Sequence, residues 1–456
     1  MSARHLYIHT IGCQMNVYDS ERIARLLEPL GYVKTGSVKT ADLIILNTCA
    51  IREKAEQKAF SFLGRLADLK QKKPDMIIAV GGCVAQQEGA RILKRVPFLD
   101  AVFGTGAIGR LPRIIEKVEK RRIRVIDVDM NSPEEEFDLP EPYPVSESVS
   151  RFVTIMQGCD NYCTYCVVPY VRGREHSRTP ERILREIEAL VRSGVREVTL
   201  LGQNVNSYGK KEGLCSFAEL LAQINRVDGL SRIRFTTSHP KDLSRDLMLA
   251  FRDLEKLCRH IHLPVQSGSD QVLKRMNRKY TRDHYLHLVE QLRGICPDVA
   301  ITSDIIAGFP GESRADFEMT LDLIRTVGYD GLFAFVYSDR PNAPAANFSE
   351  KIPEEEQHSR LQEILDLQEH FTLEKNRLLI GNVREILVDG MSRRQTSAHG
   401  SQPEVQMSGR TTENKIVNFM ADSANAESLM GRLLNLEIED AFSHSLRGKP
   451  PAMNNL

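Results

Sequence analysis

The sequence predicts an α/β chain in three parts: an N-terminal doubly wound parallel sheet, a central partial (βα)6 barrel and a small C-terminal β-barrel. Three observations predict it. Apolar runs alternate with amphipathic stretches through most of the 456 residues, as parallel strands covered by helices do. The alternation is broken at NSPEEEFDLPEPYPVSESVS (131–150), whose Pro, Glu and Ser make it a linker. After Gly381 it gives way to short β runs, as in a small all-β module. The expected divisions are 1–130, the linker 131–150, 151–375, 376–445 and a loose tail, 446–456.

Taken in order, YIHTIGC is a strand run ending at Cys13, and DSERIARLLEPLGY follows at helical spacing, with Asp19 or Ser20 as N-cap and Gly31 as stop. DLIILNTC is the second strand, ending at Cys49, and IREKAEQKAFSFLGRLADLK is its helix. MIIAVGGC is the third, ending at Cys83, followed by helix-like VAQQEGARILKRV. Beyond the linker, strands are expected at RFVTIM (151–156), EVTLLG (197–202), IRFTT (233–237), HIHLPV (260–265), AITSDIIAGF (300–309) and GLFAFVYS (331–338). Helices such as PERILREIEALVRSG and HYLHLVEQLRGI lie between them. Six such units suit an incomplete parallel barrel with its chemistry in the loops after the strands; an open doubly wound sheet gives a similar pattern. A helical stretch, EEEQHSRLQEILDLQEHFTLEKNRLLIG, precedes the β runs VREILVDGM, EVQMSGRT, KIVNFMA and RLLNLEIEDA.

Lys+Arg and Asp+Glu are both 61, so the chain is neutral and is not a highly basic nucleic-acid coat, although a local basic groove remains open. No apolar run of about 18 residues exists to cross a membrane. The segment MSARHLYIHTIGC lacks the apolar centre of a signal peptide, so a cytoplasmic location is expected. Nine cysteines, an odd count, argue against a disulfide framework in that compartment.

Their distribution carries the chemistry. Cys159, Cys163 and Cys166 lie within QGCDNYCTYCVVPY, after the first strand of the central series. Three thiolates on one loop suit an iron–sulfur cluster or, less well, a zinc-stabilised loop. On a four-iron cluster they leave one iron open. Cys13, Cys49 and Cys83 each close a strand and precede a helix, so a parallel sheet puts all three at its carboxyl edge, where such sheets bind ligands. They make either a second cluster site or three unrelated buried thiols. Cys215, Cys258 and Cys296 have no partner at ligand spacing and are expected to be structural.

The blocks GCQMNVYDSE, NTCAIREKAEQK, GGCVAQ, GCDNYCTYCVVPYVRGREHSR, LLGQNVNSYG, HLPVQSGSD and SDIIAGFPGE resemble the radical S-adenosylmethionine methylthiotransferases, in order and over nearly the whole chain. The aromatic before the last cysteine of the triad, Tyr165, is part of that resemblance. Gln14-Met15-Asn16, Ala50-Ile51-Arg52-Glu53-Lys54-Ala55 and Gly173-Arg174-Glu175 followed by Ser177-Arg178 resemble the branch that acts on isopentenyladenosine in tRNA. Other branches modify threonylcarbamoyladenosine or a ribosomal-protein aspartate. The resemblance implies a radical barrel, a C-terminal RNA-binding TRAM barrel and two 4Fe-4S clusters. One is held by Cys159, Cys163 and Cys166 and cleaves S-adenosylmethionine to a 5′-deoxyadenosyl radical. The other is held by Cys13, Cys49 and Cys83 and carries or donates sulfur. The reaction implied is methylthiolation at carbon 2 of the isopentenylated adenosine 3′ of the anticodon, an unactivated C–H that acid–base groups cannot open. It requires an electron donor and a sulfur source; no membrane partner and a monomer are expected.

For S-adenosylmethionine, the expected contacts are Tyr165 at the adenine, the fork of Arg174 at the methionyl carboxylate, the glycines Gly308 and Gly311 of GFPGE at a strand end, and the strand-end polar residues Gln203, Ser238, Gln266 and Asp304. His239 is expected to be a loop residue. Arg172, Arg174 and Arg178 form one basic set beside the cluster loop, and Lys120, Arg121, Arg122 and Arg124 another that reads as a solvated face. A non-catalytic RNA-binding protein with zinc-stabilised loops is the reading of a different class.

Overall fold

A computed structural model describes residues 4–50, 53–130, 148–392 and 403–451, with backbone only at 53–56. The first sheet contains β1 (Arg4–Ile11), β2 (Tyr32–Lys34), β3 (Leu43–Thr48), β4 (Ile77–Gly82), β5 (Ala101–Phe103) and β6 (Val125–Asp127), in the order β2-β1-β3-β4-β5-β6. All neighbours are parallel. Every residue of β3 and β4 is buried, because helices cover both faces, and this is why these strands read as continuous apolar runs. The chain order reverses between β1 and β3, a switch point. Ile11 pairs with Thr48 and Thr48 with Gly82, so three strands end in one row.

The central series forms two parallel arcs. β7 (Ser150–Thr154), β10 (Glu197–Leu201) and β11 (Arg232–Phe235) make one; β12 (His260–His262), β13 (Ala300–Ala307) and β14 (Gly331–Val336) make the other. A parallel bridge from Ile233 to Leu257 joins them, so the six strands form an open partial barrel around one continuous core. The short strands β8 (Met156–Gln157) and β9 (His176–Ser177) pair beside its first loop. A closed barrel follows, of β15 (Val383–Met391), β16 (Glu404–Thr411), β17 (Ile416–Asp422), β18 (Leu433–Ala441) and β19 (Leu446–Lys449). It docks on β11, where buried Arg234 donates to the Thr411 carbonyl (2.7 Å) and to Glu197 (2.8 Å), and Arg232 reaches Glu385 (3.0 Å).

Several details differ from the sequence reading. The first helix begins at Gln14, not after Asp19 or Ser20: Cys13 is the N-cap, and its N–H donates to Asn16 Oδ1 (3.2 Å). Asp19 and Ser20 sit inside that helix, where Arg172 and Asn47 engage them. Gly31 instead ends the short turn Glu28–Leu30, at φ 82°. The stretch after Cys83 breaks at Gly89 into two short helices. The expected tail contributes β19, which closes the last barrel against β17 and β18. Most of the expected linker, 131–147, lies outside the described residues, as do Ile51 and Arg52 of the second resemblance block. Among the described residues no helix is long and apolar enough to cross a membrane.

Candidate functional site

The three strand-end cysteines of the first sheet converge. Cys13 hydrogen-bonds Cys49, and that contact, with Arg172 close by, pulls the Cys13 thiol down to about 6 despite burial. Cys83 is fully buried, which pushes its thiol up, against the opposing pull of Arg172. The row of equal strand ends explains the convergence, and glycines make it possible. Gly82 has φ 90°, and a Cβ there would meet the Thr48 carbonyl oxygen at 2.4 Å, so no other residue suits the turn into Cys83. Asn16 Nδ2 donates to Asn47 Oδ1 (3.1 Å) and the Thr48 carbonyl (3.1 Å), locking the helix bearing Cys13 to the strand before Cys49.

The second triad lies on the loop after β8. The Cys159 N–H donates to the Gly173 carbonyl (3.2 Å), and the Cys166 N–H to that of Cys163 (3.0 Å). Gly158, at φ 78°, lets this loop pass the Arg174 carbonyl, which a Cβ would meet at 2.0 Å. Burial pushes Cys159 up to about 11 and Cys166 up to about 12, and neighbouring Cys163 adds to both shifts. Buried thiols this close to one another lose their protons most readily to a bound metal, which supplies the opposing positive charge. Among the described residues no three His, Cys, Asp or Glu side chains are gathered as a single ion requires. By donor chemistry and placement, both triads fit four-iron clusters.

Two arginines define these sites, Arg172 at the first triad and Arg278 at the second. Arg172 is buried with Asp19 (2.7 Å) and lies beside Cys83 and Cys13. It ties the helix after the second triad, Val168–Arg172, to the first sheet. Arg178 is likewise buried, on Glu186 (2.6 Å). Of that basic set only Arg174 is exposed, and its fork is filled by Asp160 at 2.6 and 3.1 Å instead of being open for a methionyl carboxylate. The cation at the second triad is Arg278, which the sequence reading missed. It is buried and donates to Cys163 Sγ (3.5 Å), Tyr165 (3.4 Å), Tyr280 (2.8 Å) and the Pro264 carbonyl (2.7 Å). No local motif marks it, because it lies 112 positions after Cys166.

The expected S-adenosylmethionine contacts divide. Gln203 Oε1 and Ser238 Oγ are buried without a partner among the described residues, and the loops bearing them are joined by the Val205 N–H to the Thr237 carbonyl (3.0 Å). Buried polar atoms without partners cost free energy, and Asn206, on the loop that bears Gln203, carries two more. Gln266 is buried at φ 76° and Thr237 sits at φ 72°; strained non-glycine backbone collects at functional sites. Thr237 was not singled out from the sequence. Asp304 pairs with His262 (3.4 Å) on the inner face of the barrel. Tyr165 packs with Phe309, Met276 and Ile306 beneath the cluster loop. Gly308 and Gly311 have left-handed φ and are filled against by Gln357 and Arg275, so packing accounts for them. His239 is a buried turn residue whose Nδ1 accepts from the Lys241 N–H (3.3 Å). In the Lys120–Arg124 set, Lys120 pairs with Glu116 (3.1 Å) and Arg122 with Asp75 (2.7 Å).

Comparisons with known proteins agree with this division. Residues 5–104 match the family model described as Uncharacterized protein family UPF0004, and residues 153–324 match the Radical SAM superfamily. A relative from Desulfosudis oleivorans named tRNA-2-methylthio-N(6)-dimethylallyladenosine synthase is 54% identical over 449 residues, covering 98% of this chain and 96% of that protein. Relatives of the same name from Syntrophus aciditrophicus and Carboxydothermus hydrogenoformans are 50% and 49% identical, each covering 98% of this chain and 95% and 99% of their own lengths. Among solved structures, a radical S-adenosylmethionine methyltransferase, TsrM, from Kitasatospora setae with cobalamin and a 4Fe-4S cluster bound aligns with a TM-score of 0.55. It is 14% identical and covers 76% of this chain and 77% of its own, a likeness of fold.

Proposed function

The chain belongs to the family of the tRNA-2-methylthio-N(6)-dimethylallyladenosine synthases, and from that premise we propose that it methylthiolates carbon 2 of N6-dimethylallyladenosine, the isopentenylated base 3′ of the anticodon. It is a radical S-adenosylmethionine enzyme. The observation that carries the reading is the pair of cysteine triads at the carboxyl edges of two parallel sheets, linked through Arg172. Cys159, Cys163 and Cys166 would hold one 4Fe-4S cluster and Cys13, Cys49 and Cys83 another. When bound, these clusters supply the electron that cleaves S-adenosylmethionine and the sulfur that enters the product.

The chain's own groups orient and enclose. Arg278 keeps a permanent charge against Cys163 and fixes the Tyr165 hydroxyl. Gln203 Oε1 and Ser238 Oγ would accept or donate to S-adenosylmethionine at the barrel mouth. Gln266 follows β12 and its N–H donates to the carbonyl of Asp304 (2.9 Å), which lies within β13 and not at its end as the sequence suggested. The partial barrel holds the reacting carbon dry and oriented, which replaces a random encounter by a positioned one. The C-terminal barrel would carry the tRNA, an electron donor and a sulfur source complete the reaction, and the cytoplasm is the compartment this substrate implies.

The test supplies anaerobically reconstituted protein, S-adenosylmethionine, reductant and sulfide with three acceptors in parallel: isopentenylated tRNA, threonylcarbamoylated tRNA and the ribosomal protein. Product on the isopentenylated tRNA is expected. Product only on another acceptor overturns the substrate, and zinc without iron or 5′-deoxyadenosine overturns the chemistry.

A further inference from the structure

β14 presents two aromatic side chains to open space. Phe333 is 55% exposed and Phe335 40% exposed, although Leu332 and Ala334 between and beside them pack into the core on the opposite face. Strand alternation therefore turns Phe333 and Phe335 to the inside of the open barrel. Their register partners on β13 are Asp304 and Ile306. Phe333 meets the His262 ring edge-on at 5.9 Å, and His262 Nε2 lies 3.4 Å from Asp304. Ile306, beside Phe335, packs in the same cluster as Tyr165 of the cysteine loop. An apolar surface thus runs without interruption from the radical-cluster loop through Ile306 to the exposed phenylalanines, with a polar His262–Asp304 pair at its inner end.

Water-exposed phenylalanine inside a barrel is unfavourable unless something covers it. The site proposed above must receive an adenine carrying a branched five-carbon hydrocarbon on N6, and that group needs an apolar wall within reach of the cluster loop. We propose that Phe333 and Phe335 form the subsite for the N6-dimethylallyl group and set the preference for the prenylated base. This rests on the functional reading above and adds the residues that distinguish its substrate from other N6-modified adenosines. Two phenyl faces would cover the hydrocarbon, while Asp304, held from one side by His262, has a second carboxylate oxygen for the polar edge of the base.

The test compares kcat/KM of the holoenzyme on two anticodon stem-loops that differ only in the N6 group, dimethylallyl or methyl. The unaltered protein is expected to favour the dimethylallyl loop. Phe333→Ala and Phe335→Ala should each lower that ratio, together by about tenfold or more, since hydrocarbon pockets discriminate by such factors per group. Phe333→Leu and Phe335→Leu keep an apolar wall and should hold the ratio within about threefold, a result that a general loss of folding would not produce. An unchanged ratio in the alanine variants overturns the subsite, and so does a ratio that collapses in the leucine variants. No product from the unaltered protein on either loop overturns the functional reading itself, and the subsite with it.

Discussion

The Cys13 thiol is held down to about 6 because Cys49 hydrogen-bonds it and Arg172 stands near. In the metal-free chain its thiolate predominates above pH about 6, whereas Cys159 at about 11 and Cys166 at about 12 stay protonated at neutral pH. Iodoacetamide labelling followed by peptide mass analysis should therefore show the Cys13 rate rising through pH 6, with Cys159 and Cys166 reacting only in alkali. A Cys13 rate that rises only near pH 9 would contradict the arrangement. The placement of the six cysteines was legible from sequence, because Cys13, Cys49 and Cys83 each close a strand run and Cys159, Cys163 and Cys166 share one loop after a strand, but the residues that charge and hold them were not. Arg278 is brought to Cys163 by the turn after a helix over 100 positions later in the chain, and Arg172 read as one of a basic set beside the cluster loop until folding placed it on Asp19.

At the scale of elements, strand runs were legible through their apolar continuity, since both faces of β3 and β4 are covered. The first helix start was misplaced because a cysteine and an asparagine did the capping that Asp19 or Ser20 was expected to do. The turns at strand ends are the sensitive points. Gly82→Ala puts a Cβ 2.4 Å from the Thr48 carbonyl oxygen in a left-handed turn, so Cys83 should be displaced and iron content should fall by about half after anaerobic reconstitution. Full iron loading would show that the turn does not govern the site. His260, on β12, is held down to about 3 and His239, at the β11 mouth, to about 2, in both cases first by burial. Both therefore stay neutral in the folded chain and gain protons on unfolding below about pH 6.5. Their contribution to stability is complete above pH 6.5 and falls as pH drops toward 3, by up to about 1.4 kcal/mol per pH unit for each. The Tm of the metal-free chain should fall between pH 7.5 and 5.5, and His260→Gln should flatten that slope; an unaltered slope would contradict the assignment.

Across the whole molecule, the order of parts was legible from composition, because a Pro- and Glu-rich stretch separates two strand–helix series and a third region lacks helices. How the parts meet was not, since the contacts join residues far apart in the chain, among them Val167 and Val171 packed into the core of the first sheet and Met15 and Tyr18 packed on Leu201. Arg172 and Asp19 join the first sheet to the barrel loop, Tyr18 donates to Glu186 across the same boundary (3.3 Å), and Arg234 holds the last barrel through the Thr411 carbonyl. Arg172→Gln leaves Asp19 buried without its cation and should destabilise the chain by about 3–5 kcal/mol, read as a lower urea midpoint, while Arg174→Gln, which breaks an exposed pair, should leave the midpoint nearly unchanged. Equal effects would deny Arg172 its place between the parts. The central claim is that two triads divide one reaction. It is tested most directly by Cys49→Ala incubated anaerobically with isopentenylated tRNA, S-adenosylmethionine, sulfide and dithionite, with 5′-deoxyadenosine and nucleosides measured by mass in the same sample. The division of labour predicts 5′-deoxyadenosine without 2-methylthio-N6-isopentenyladenosine, and neither compound from Cys163→Ala. Normal methylthiolated product from Cys49→Ala would contradict it.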